Sequence, residues 1–333
     1  MSEEVQDLMD MKIAANNDTE EKIETETKKD SSIFDGVRII NVIFFSLLHV
    51  AAIYGIYVVL FRAKLATQIW FPIFTTLTSF GVTLGSHRYF AHKSYEVTTP
   101  VKIVLLIMQT ITGQNSAFTW AREHRLHHKY SDTDADPHNP TRGFFFSHMG
   151  WLLTKRHPLV LQKGRTIDVS DLVSDKLIMF QHKYYIPLYV FWGVLVPIMI
   201  PIYLWDEKPW ISFFTVYCLR YVVILHLTWS VNSVAHLFGN KPYDKKIYPA
   251  ESAFVSCITL GEGWHNFHHA FPWDYRASEF PAPLNLNTRI IDLLAYFGLV
   301  YDRKTASQRV VHGQVKRHGD GTHPIIAEKN IKG

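Results

Sequence analysis

The sequence predicts an all-α integral membrane protein with four transmembrane helices arranged as two hairpins. Three observations support this fold class: long uncharged runs, polar stretches rich in histidine, and the lack of a linker or repeat that would divide the chain. The 333 residues are 47% hydrophobic, 14% aromatic and 19% charged, and so much aromatic content excludes a largely disordered chain. A formal net charge of +4 is too small to indicate nucleic-acid binding.

Composition divides the chain into three parts. Residues 1–35 hold 11 Asp and Glu residues against four Lys residues, which predicts a disordered acidic arm in the cytosol. Residues 36–325 are expected to form the main domain, and residues 326–333 a short C-terminal tail. The two cysteines, Cys218 and Cys257, cannot build a disulfide framework, which favours a reducing compartment.

The first hairpin is expected at residues 39–61 and 66–85. A transmembrane helix needs roughly 20 mainly apolar residues, and both segments meet this requirement. In the first span only Asn41 and His49 are strongly polar, and the second span carries no charged residue.

The second hairpin is expected at residues 186–205 and 210–235. The first of these segments contains three prolines, which transmembrane helices tolerate better than soluble ones. The second includes Arg220, His226 and Asn232. Polar residues inside a span usually face the protein interior or a functional site, so these three do not exclude a crossing.

The polar segment between the hairpins, residues 86–185, is expected to lie in the cytosol together with both termini. It carries 13 Lys and Arg residues, and basic residues favour the cytosolic side of a membrane. Residues 101–111 are apolar but too short to cross, so we expect them to be interfacial or re-entrant.

Histidine is the unusual feature of the composition, with 18 residues, many of them clustered. The four clusters are His87 and His92; His124, His127 and His128; Asn232 and His236; and His265, His268 and His269. Offsets of three and four residues place side chains on one face of a helix. Imidazole nitrogen is a ligand for Fe, Zn, Cu and Ni. The clusters therefore predict a metal centre.

Topology strengthens this prediction. The last two clusters follow a complete hairpin, and two crossings return the chain to the same side of the membrane, so all four clusters can meet at the cytosolic surface. Nine imidazoles exceed the coordination sphere of one metal and imply two. No H-E-x-x-H motif is present, which disfavours a zinc protease. The remaining histidines are expected to be structural or exposed: His49, His138, His148, His157, His182, His226, His312, His318 and His323.

The residues around the clusters carry a family resemblance. The segments concerned are Gly85-Ser-His-Arg-Tyr, Glu123-His-Arg-Leu-His-His-Lys-Tyr, Asp134-Ala-Asp-Pro-His-Asn-Pro, Arg142-Gly-Phe-Phe-Phe-Ser-His, Lys241-Pro-Tyr-Asp, Gly261-Glu-Gly-Trp-His-Asn-Phe-His-His and Asp302-Arg-Lys. With them the chain closely resembles the animal membrane-bound acyl-CoA desaturases of the stearoyl-CoA desaturase family, in particular insect members. A single histidine cluster would be shared with other membrane di-iron oxygenases, whereas the whole set is specific.

The resemblance implies a cone of four spans capped by a cytosolic helical domain that holds a di-iron centre. The implied iron ligands are His87, His92, His124, His127, His128, His236, His265, His268 and His269, with Asn232 contributing through a bound water. Thr228 and Trp229 match positions that line the acyl tunnel near the metals. The implied CoA contacts are Asn41, Asn115, Arg122, Glu123, Lys155 and Arg156. The family commonly has Asp where this chain has Glu123.

The implied activity is an acyl-CoA desaturase of the Δ9 or Δ11 type, which inserts a double bond into a saturated long-chain acyl-CoA, in fatty acid or pheromone-precursor biosynthesis. It needs two iron ions and O₂ as co-substrate, because acid–base side chains cannot open an unactivated methylene. The sequence contains neither a His-Pro-Gly-Gly haem motif nor a GxGxxG beside a strand–helix unit, so no bound haem or flavin is expected. Cytochrome b5 and its reductase are the implied electron donors, and the endoplasmic reticulum membrane is the implied location.

A separate hypothesis concerns the depth of the acyl tunnel. Thr75 and Ser79 precede His87 by 12 and 8 residues, which places them roughly 18 and 12 Å along the second span. A tail of about nine carbons beyond the new double bond reaches a comparable depth. We expect the small side chains of Thr75 and Ser79 to help set how far the acyl tail descends.

Two alternative functions remain open from the sequence. A membrane di-iron hydroxylase or an acyl-lipid desaturase would use the same ligands, and product analysis separates these enzymes from an acyl-CoA desaturase. A non-enzymatic membrane carrier of metal or haem would show labile metal and no dependence on O₂. The carrier leaves the basic residues assigned to CoA without a role.

Overall fold

The computed structural model describes residues 36–279 and 285–326. The predicted acidic arm, residues 1–35, and nearly all of the predicted tail, residues 327–333, lie outside the described residues. In the described part almost all regular structure is helical, and the first helix begins at Ile39.

The first hairpin consists of α1 (Ile39–Phe61) and α2 (Leu65–Phe80). Helix α2 continues directly into a π-helical turn, Gly81–Ala91, in which every residue is buried. The helical path therefore runs beyond the predicted end of the second span at residue 85 and carries His87 with it. Such π-helical turns are rare in proteins, but those that do occur often lie at functional sites.

A short strand and two helices follow the π-helical turn. They are β1 (Glu96–Val97), α3 (Thr99–Ile111) and α4 (Ala117–Lys129). Helix α3 packs on the π-helical turn at Gly81, where an added Cβ would collide with the backbone of Met108. Helix α4 begins after Ser116, whose side-chain oxygen accepts a hydrogen bond from the Thr119 N–H.

Short helical elements fill the rest of the central polar segment. They are a 3₁₀ turn (Pro140–Arg142), a second π-helical turn (Phe146–Gly150), α5 (Trp151–Leu153), α6 (Pro158–Gly164), α7 (Ser170–Ser174) and α8 (Lys176–Lys183). The guanidinium of Arg125 on α4 donates to both carboxylate oxygens of Asp171 on α7, at 2.7 and 2.8 Å. This bidentate pair fixes α7 against the helix that carries the second histidine cluster.

The second hairpin consists of two long helical paths with π-helical turns inside them. The first is α9 (Tyr185–Tyr189), a π-helical turn (Val190–Leu195) and α10 (Val196–Trp205); the second is α11 (Pro209–Ser212), a π-helical turn (Phe213–Leu219) and α12 (Arg220–Leu237). Arg220 is buried, and its guanidinium donates to the carbonyls of Val216, Ile111 and Gly193. It therefore faces the protein interior, as expected for a charged residue inside a span.

Three of the described helical segments are long and apolar enough to cross a membrane: Ile39–Phe61, Tyr185–Trp205 and Pro209–Leu237. They correspond to three of the four predicted spans. The α2 region, which continues into the first π-helical turn, is not among them. The count of four spans therefore stays a prediction. Large hydrophobic side chains such as Ile40 and Leu47 are exposed on α1, as on a helix that faces lipid.

The remaining elements pack beside the central segment. They are α13 (Ala253–Ile258), α14 (His265–Ala270), α15 (Leu286–Tyr296), β2 (Val300–Tyr301) and α16 (Gln308–His318). Strand β2 pairs antiparallel with β1, Glu96 lying opposite Tyr301 and Val97 opposite Val300. The described part is mostly helical, as predicted, and this two-residue pairing across about 200 positions leaves no hairpin signal in the sequence.

A buried carboxylate joins the two hairpins at one end. Glu207, in the link between α10 and α11, accepts hydrogen bonds from the Lys64 N–H at 2.9 Å and the Thr67 hydroxyl at 2.6 Å. The Trp205 indole donates to the same hydroxyl at 2.8 Å. The two links within the hairpins therefore lie side by side.

Candidate metal centre

The nine histidines that were predicted as ligands lie together and separate into two groups. The first group is His87, His92, His124, His128 and His268; the second is His127, His236, His265 and His269. Within each group the candidate ligand nitrogens all lie within 4.8 Å of one another, and each group could hold a metal ion. Four elements supply these histidines, namely the first π-helical turn with His92 directly after it, α4, α12 and α14.

Helical geometry distributes each H-x-x-H-H cluster over both groups. On α4, His124 and His128 are four residues apart and point into the first group, whereas His127 points into the second. On α14, His265 and His269 point into the second group and His268 into the first. The two helices therefore contribute to both groups from opposite sides.

The π-helical turn explains how His87 and His92 converge despite their spacing of five residues. The His92 N–H donates to the His87 carbonyl at 3.1 Å, which is the i to i+5 bond of a π-helix. The two imidazole rings lie 5.0 Å apart. In a regular α-helix a spacing of five would direct these side chains to different faces.

The ε nitrogens point at one another within the groups. His87 Nε2 lies 2.8 Å from His268 Nε2, and His92 Nε2 lies 2.8 Å from His124 Nε2. In the second group, His265 Nε2 lies 3.1 Å from the Nε2 atoms of both His236 and His269. A shared proton can satisfy one such pair, but His265 meets two at once, so a cation fits between these nitrogens better than hydrogen bonds do.

Carboxylates hold the outer nitrogens of three of these rings. His87 Nδ1 lies 2.6 Å from Glu262 Oε2, His127 Nδ1 lies 2.9 Å from Asp136 Oδ1, and His236 Nδ1 lies 3.4 Å from Asp132 Oδ1. Each carboxylate favours the tautomer with its proton on Nδ1, which leaves the Nε2 lone pair free for a metal. This carboxylate–histidine arrangement is the usual second layer of a metal site.

The electrostatics keep most of these imidazoles neutral, as metal ligands must be. Burial, reinforced by neighbouring imidazoles, lowers the pKa of His92, His124, His128, His265, His268 and His269 well below the ordinary histidine value. Burial alone would raise the pKa of Glu262, but Arg88 and His87 outweigh it and lower that pKa to about 2. Asp136 likewise has its pKa lowered, by His127, against the effect of burial. Both carboxylates are therefore ionised at neutral pH.

Two cavities adjoin the histidine groups. The first is lined by one face of α12, including Ile224, Leu227 and Val231, and by His87, His124, His127 and His265. The second lies beside Trp120 and His124. Thr228 and Asn232 line both cavities, so the two spaces meet on this face of α12. Across them, the Gln114 side-chain amide donates to the Thr228 hydroxyl at 2.9 Å.

The predicted substrate residues are brought together only in part. Asn115, Glu123, Thr228, Trp229 and Asn232 all line the second cavity. Arg156 donates to Glu123 at 2.6 Å, and Arg122 lies 3.8 Å from the same oxygen. Asn41 donates to the Leu152 carbonyl at 2.7 Å, and the backbone N–H of Lys155 donates to the Gly36 carbonyl at 2.6 Å. The last two residues therefore lie where α1 meets the central segment.

The two residues of the tunnel-depth hypothesis differ in position. Ser79 lines the first cavity, together with Val82 and Thr83 of the π-helical turn. Thr75 is buried one turn earlier, and its hydroxyl donates to the Phe71 carbonyl at 2.7 Å. Thr75 does not belong to the lining of that cavity.

Sequence reasoning missed Glu262, Asp136, Arg88 and Gln114. The first three lie inside the quoted motifs, next to or near the histidines, but no spacing rule connects a carboxylate to the imidazole that it holds in space. Gln114 carries no sequence signal at all, since its partner Thr228 lies more than 100 residues away.

Comparisons with known proteins agree with this geometry. The family model described as Fatty acid desaturase matches residues 64–282. The chain is 50% identical to the Delta(9)-fatty-acid desaturase fat-6 of Caenorhabditis elegans, over 84% of this chain and 82% of that protein. It is 47% identical to the Acyl-CoA Delta(11) desaturase of Trichoplusia ni (86% and 82%) and 47% identical to the Stearoyl-CoA desaturase of Homo sapiens (85% and 79%). The chain belongs to the fatty acid desaturase family, and the predicted resemblance is confirmed.

Proposed function

We propose that the chain is a membrane acyl-CoA desaturase that uses O₂ to insert a double bond into a long-chain fatty acyl-CoA. The observation that carries this conclusion is the pair of histidine groups at the head of a largely apolar cavity. Relatives at 47 to 50% identity are named as acyl-CoA or fatty-acid desaturases, and the double-bond positions in their names include Delta(9) and Delta(11).

The two histidine groups would hold two iron ions. When bound, the iron would activate O₂ and supply the oxidising power that removes two hydrogens from an unactivated carbon chain. The neutral imidazoles, with Nδ1 held by carboxylates, suit Fe as ligands. No bound haem or flavin is proposed, so the two electrons for each turnover would come from cytochrome b5 and its reductase.

The protein supplies position. The acyl chain would lie in the first cavity, where Ile224, Leu227 and Val231 exclude water from the reacting carbons. The Gln114–Thr228 hydrogen bond and the Trp120 ring would confine the acyl chain where the two cavities meet. The reaction depends on holding one pair of methylenes beside the metals. The wall formed by Gln114, Thr228 and Trp120 would therefore decide where in the acyl chain the double bond forms. Asn232 would contribute to the metal centre through a bound water.

The CoA group would bind at the outer rim of the second cavity. Arg122, Arg156 and Lys155 provide positive charge for its phosphates, and such charge-assisted hydrogen bonds are strong. Glu123 already accepts from Arg156 at 2.6 Å, so this pair would orient the guanidinium toward the phosphates. Asn41 and Asn115 would contact the remaining polar groups of CoA.

The membrane arrangement follows from the same proposal. We place four spans in the bilayer, α2 with its π-helical turn being the fourth, and the histidine groups on the cytosolic side together with both termini. The domain would extend over residues 36–325, and the enzyme would reside in the endoplasmic reticulum. Ser79 and Thr75 would set how deeply the acyl tail descends.

The test is expression in a microbial host that lacks its own desaturase, followed by mass spectrometry of derivatised fatty acids. We expect a new monoene, whose fragments locate the double bond, and loss of that product in His128→Ala and His269→Ala, one variant from each group. Hydroxy acids in place of the monoene would assign the chain to the hydroxylases. Absence of any new product from membrane-inserted, iron-loaded protein supplied with its electron donors would refute the proposal.

A further inference from the structure

Three histidines outside the two histidine groups of the candidate metal centre are joined by hydrogen bonds into an imidazole chain. His49 lies on α1, His226 on α12 and His148 in the second π-helical turn. His49 Nε2 lies 3.0 Å from His226 Nε2, and His226 Nδ1 lies 2.9 Å from His148 Nε2. The middle ring uses both of its nitrogens, so the arrangement is linear and differs from the converging nitrogens of the metal groups. The sequence predicted only separate structural roles for these three residues.

Hydrogen bonds anchor both ends of this imidazole chain. His49 Nδ1 donates to the Phe45 carbonyl at 2.6 Å. At the other end, His148 Nδ1 lies 2.8 Å from the Ser233 hydroxyl, and that hydroxyl donates to the Trp229 carbonyl at 2.8 Å. Every ring nitrogen of the three histidines therefore has a partner.

The three imidazole rings pack around the indole of Trp229. The ring centroids of His226, His148 and His49 lie 5.2, 5.7 and 6.5 Å from Trp229, and Phe45 packs against the same indole at 5.8 Å. Trp229 is only 2% exposed and lines the second cavity. The indole therefore contacts the three imidazoles and the second cavity, which meets the first cavity, the space proposed for the acyl chain, at the neighbouring Thr228.

Packing alone does not account for three imidazoles here. His49 and His226 lie in segments that are long and apolar enough to cross a membrane, where polar side chains are costly unless they are paired. Aliphatic side chains would fill the same volume without this cost. What the hydrogen bonds add is orientation, because they fix three rings from three separate segments around one indole.

We propose that the His49–His226–His148 chain positions Trp229 and thereby helps to select the methylene pair that reacts. These histidines are positioning residues that act through the tryptophan and do not touch the reacting carbons. The inference rests on the proposed acyl-CoA desaturase function, which it extends from the metal centre to the choice of product. His226 is the critical member, since its replacement breaks both imidazole contacts at once.

The test compares His226→Phe with His226→Gln in the desaturase-deficient host, using the full-length protein. Phe keeps a ring but removes both hydrogen bonds, whereas Gln retains one donor and one acceptor. We expect His226→Phe to change the ratio of products, by double-bond position or by C16 against C18 chain length, by at least roughly fivefold, the factor expected for the loss of one of its two hydrogen bonds. His226→Gln should restore most of the native ratio. Ile53→Ala serves as the matched control and should leave the ratio unchanged, because Ile53 is exposed on α1 and lines the surface groove that His49 and His226 also line.

The outcomes separate positioning from general structural support. A variant that is only destabilised would lose iron and all products in proportion, with the product ratio unchanged, and that result would overturn the inference. If His226→Phe does not accumulate in membranes, Ser233→Ala decides, because it removes only the terminal hydroxyl; an unchanged ratio there also overturns the inference. Failure of the proposed function shows separately, as absence of monoene from the unmodified chain.

Discussion

Two buried carboxylates hold the outer nitrogens of histidines in both histidine groups. Glu262 lies against His87 of the first group and Asp136 against His127 of the second. Glu262 also accepts from the Arg88 guanidinium at 3.0 and 2.6 Å. A single buried carboxylate therefore orients one candidate ligand and neutralises one buried cation.

Replacement of Glu262 by Gln should reduce metal binding and activity by about 10- to 100-fold, as is typical when a carboxylate behind a ligand is removed. The substitution also leaves Arg88 without its counter-ion, so thermal stability should fall. Iron per protein and monoene yield measure the effect. Asp206→Asn changes an exposed carboxylate and is the control. Native iron content in Glu262→Gln would show that His87 does not need this partner.

The tunnel-depth hypothesis is tested at Thr75. Thr75→Trp places a large ring at a buried position one turn from Ser79 and should shift the products toward shorter acyl chains. Leu77→Trp, on an exposed face of the same helix, should leave the chain-length distribution unchanged. The measurement is the C16 to C18 ratio of the monoenes. An unaltered distribution in Thr75→Trp would remove this residue from the proposal.

At the scale of elements, the first π-helical turn decides the geometry of the first histidine group. It brings together His87 and His92, which are five residues apart, and it packs through Gly81 on α3. The neighbouring Gly85 has more room, since a Cβ there would lie 3.5 Å from its nearest neighbour, the Leu105 carbonyl oxygen. The two glycines therefore provide a matched pair.

Gly81→Ala should be destabilising, because its methyl group meets backbone that can move only if α3 shifts. Overpacking of this kind costs about 1 to 3 kcal/mol, and the displaced turn should also weaken metal retention at His87. Gly85→Ala should be close to neutral. Thermal unfolding in detergent and iron content measure both effects. Equal behaviour of the two variants would argue against close packing of α3 as the cause.

At the scale of the whole molecule, Glu207 connects the two hairpins. It is buried and accepts from the Lys64 N–H and the Thr67 hydroxyl, while the adjacent Asp206 is fully exposed. Glu207→Ala should lower the free energy of unfolding by about 1 to 3 kcal/mol, since it leaves buried donors unpaired. Asp206→Asn should have little effect. Retention of native stability in Glu207→Ala would mean that helix packing alone holds the hairpins together.

Metal removal should destabilise the helical domain, because the two histidine groups tie four elements to one another. If free metal exceeds its Kd about 1,000-fold, linkage stabilises the fold by about 4 kcal/mol. A chelator should therefore lower the unfolding temperature of the native chain. The same chelator should change little in a double variant, His128→Ala with His269→Ala, which lacks a ligand in each group. A large response of the double variant to chelator would contradict this.

The sequence by itself determined the family, the histidine clusters and the approximate positions of three long apolar helices. Apolar length and the close spacing of His124, His127 and His128 are local properties, and local properties can be read along a chain. The roles of the predicted ligands and CoA contacts stay predictions, although the nine histidines do lie together.

Only the tertiary structure decided how the histidines divide, which carboxylates stand behind them and what surrounds Trp229. These features join residues that are distant along the chain, such as His87 with Glu262 and His49 with His226. The β1–β2 pairing escaped prediction for the same reason, since it depends on packing between remote segments. Contacts between distant residues leave no periodic signal in one sequence, because each partner obeys only the pattern of its own helix or strand.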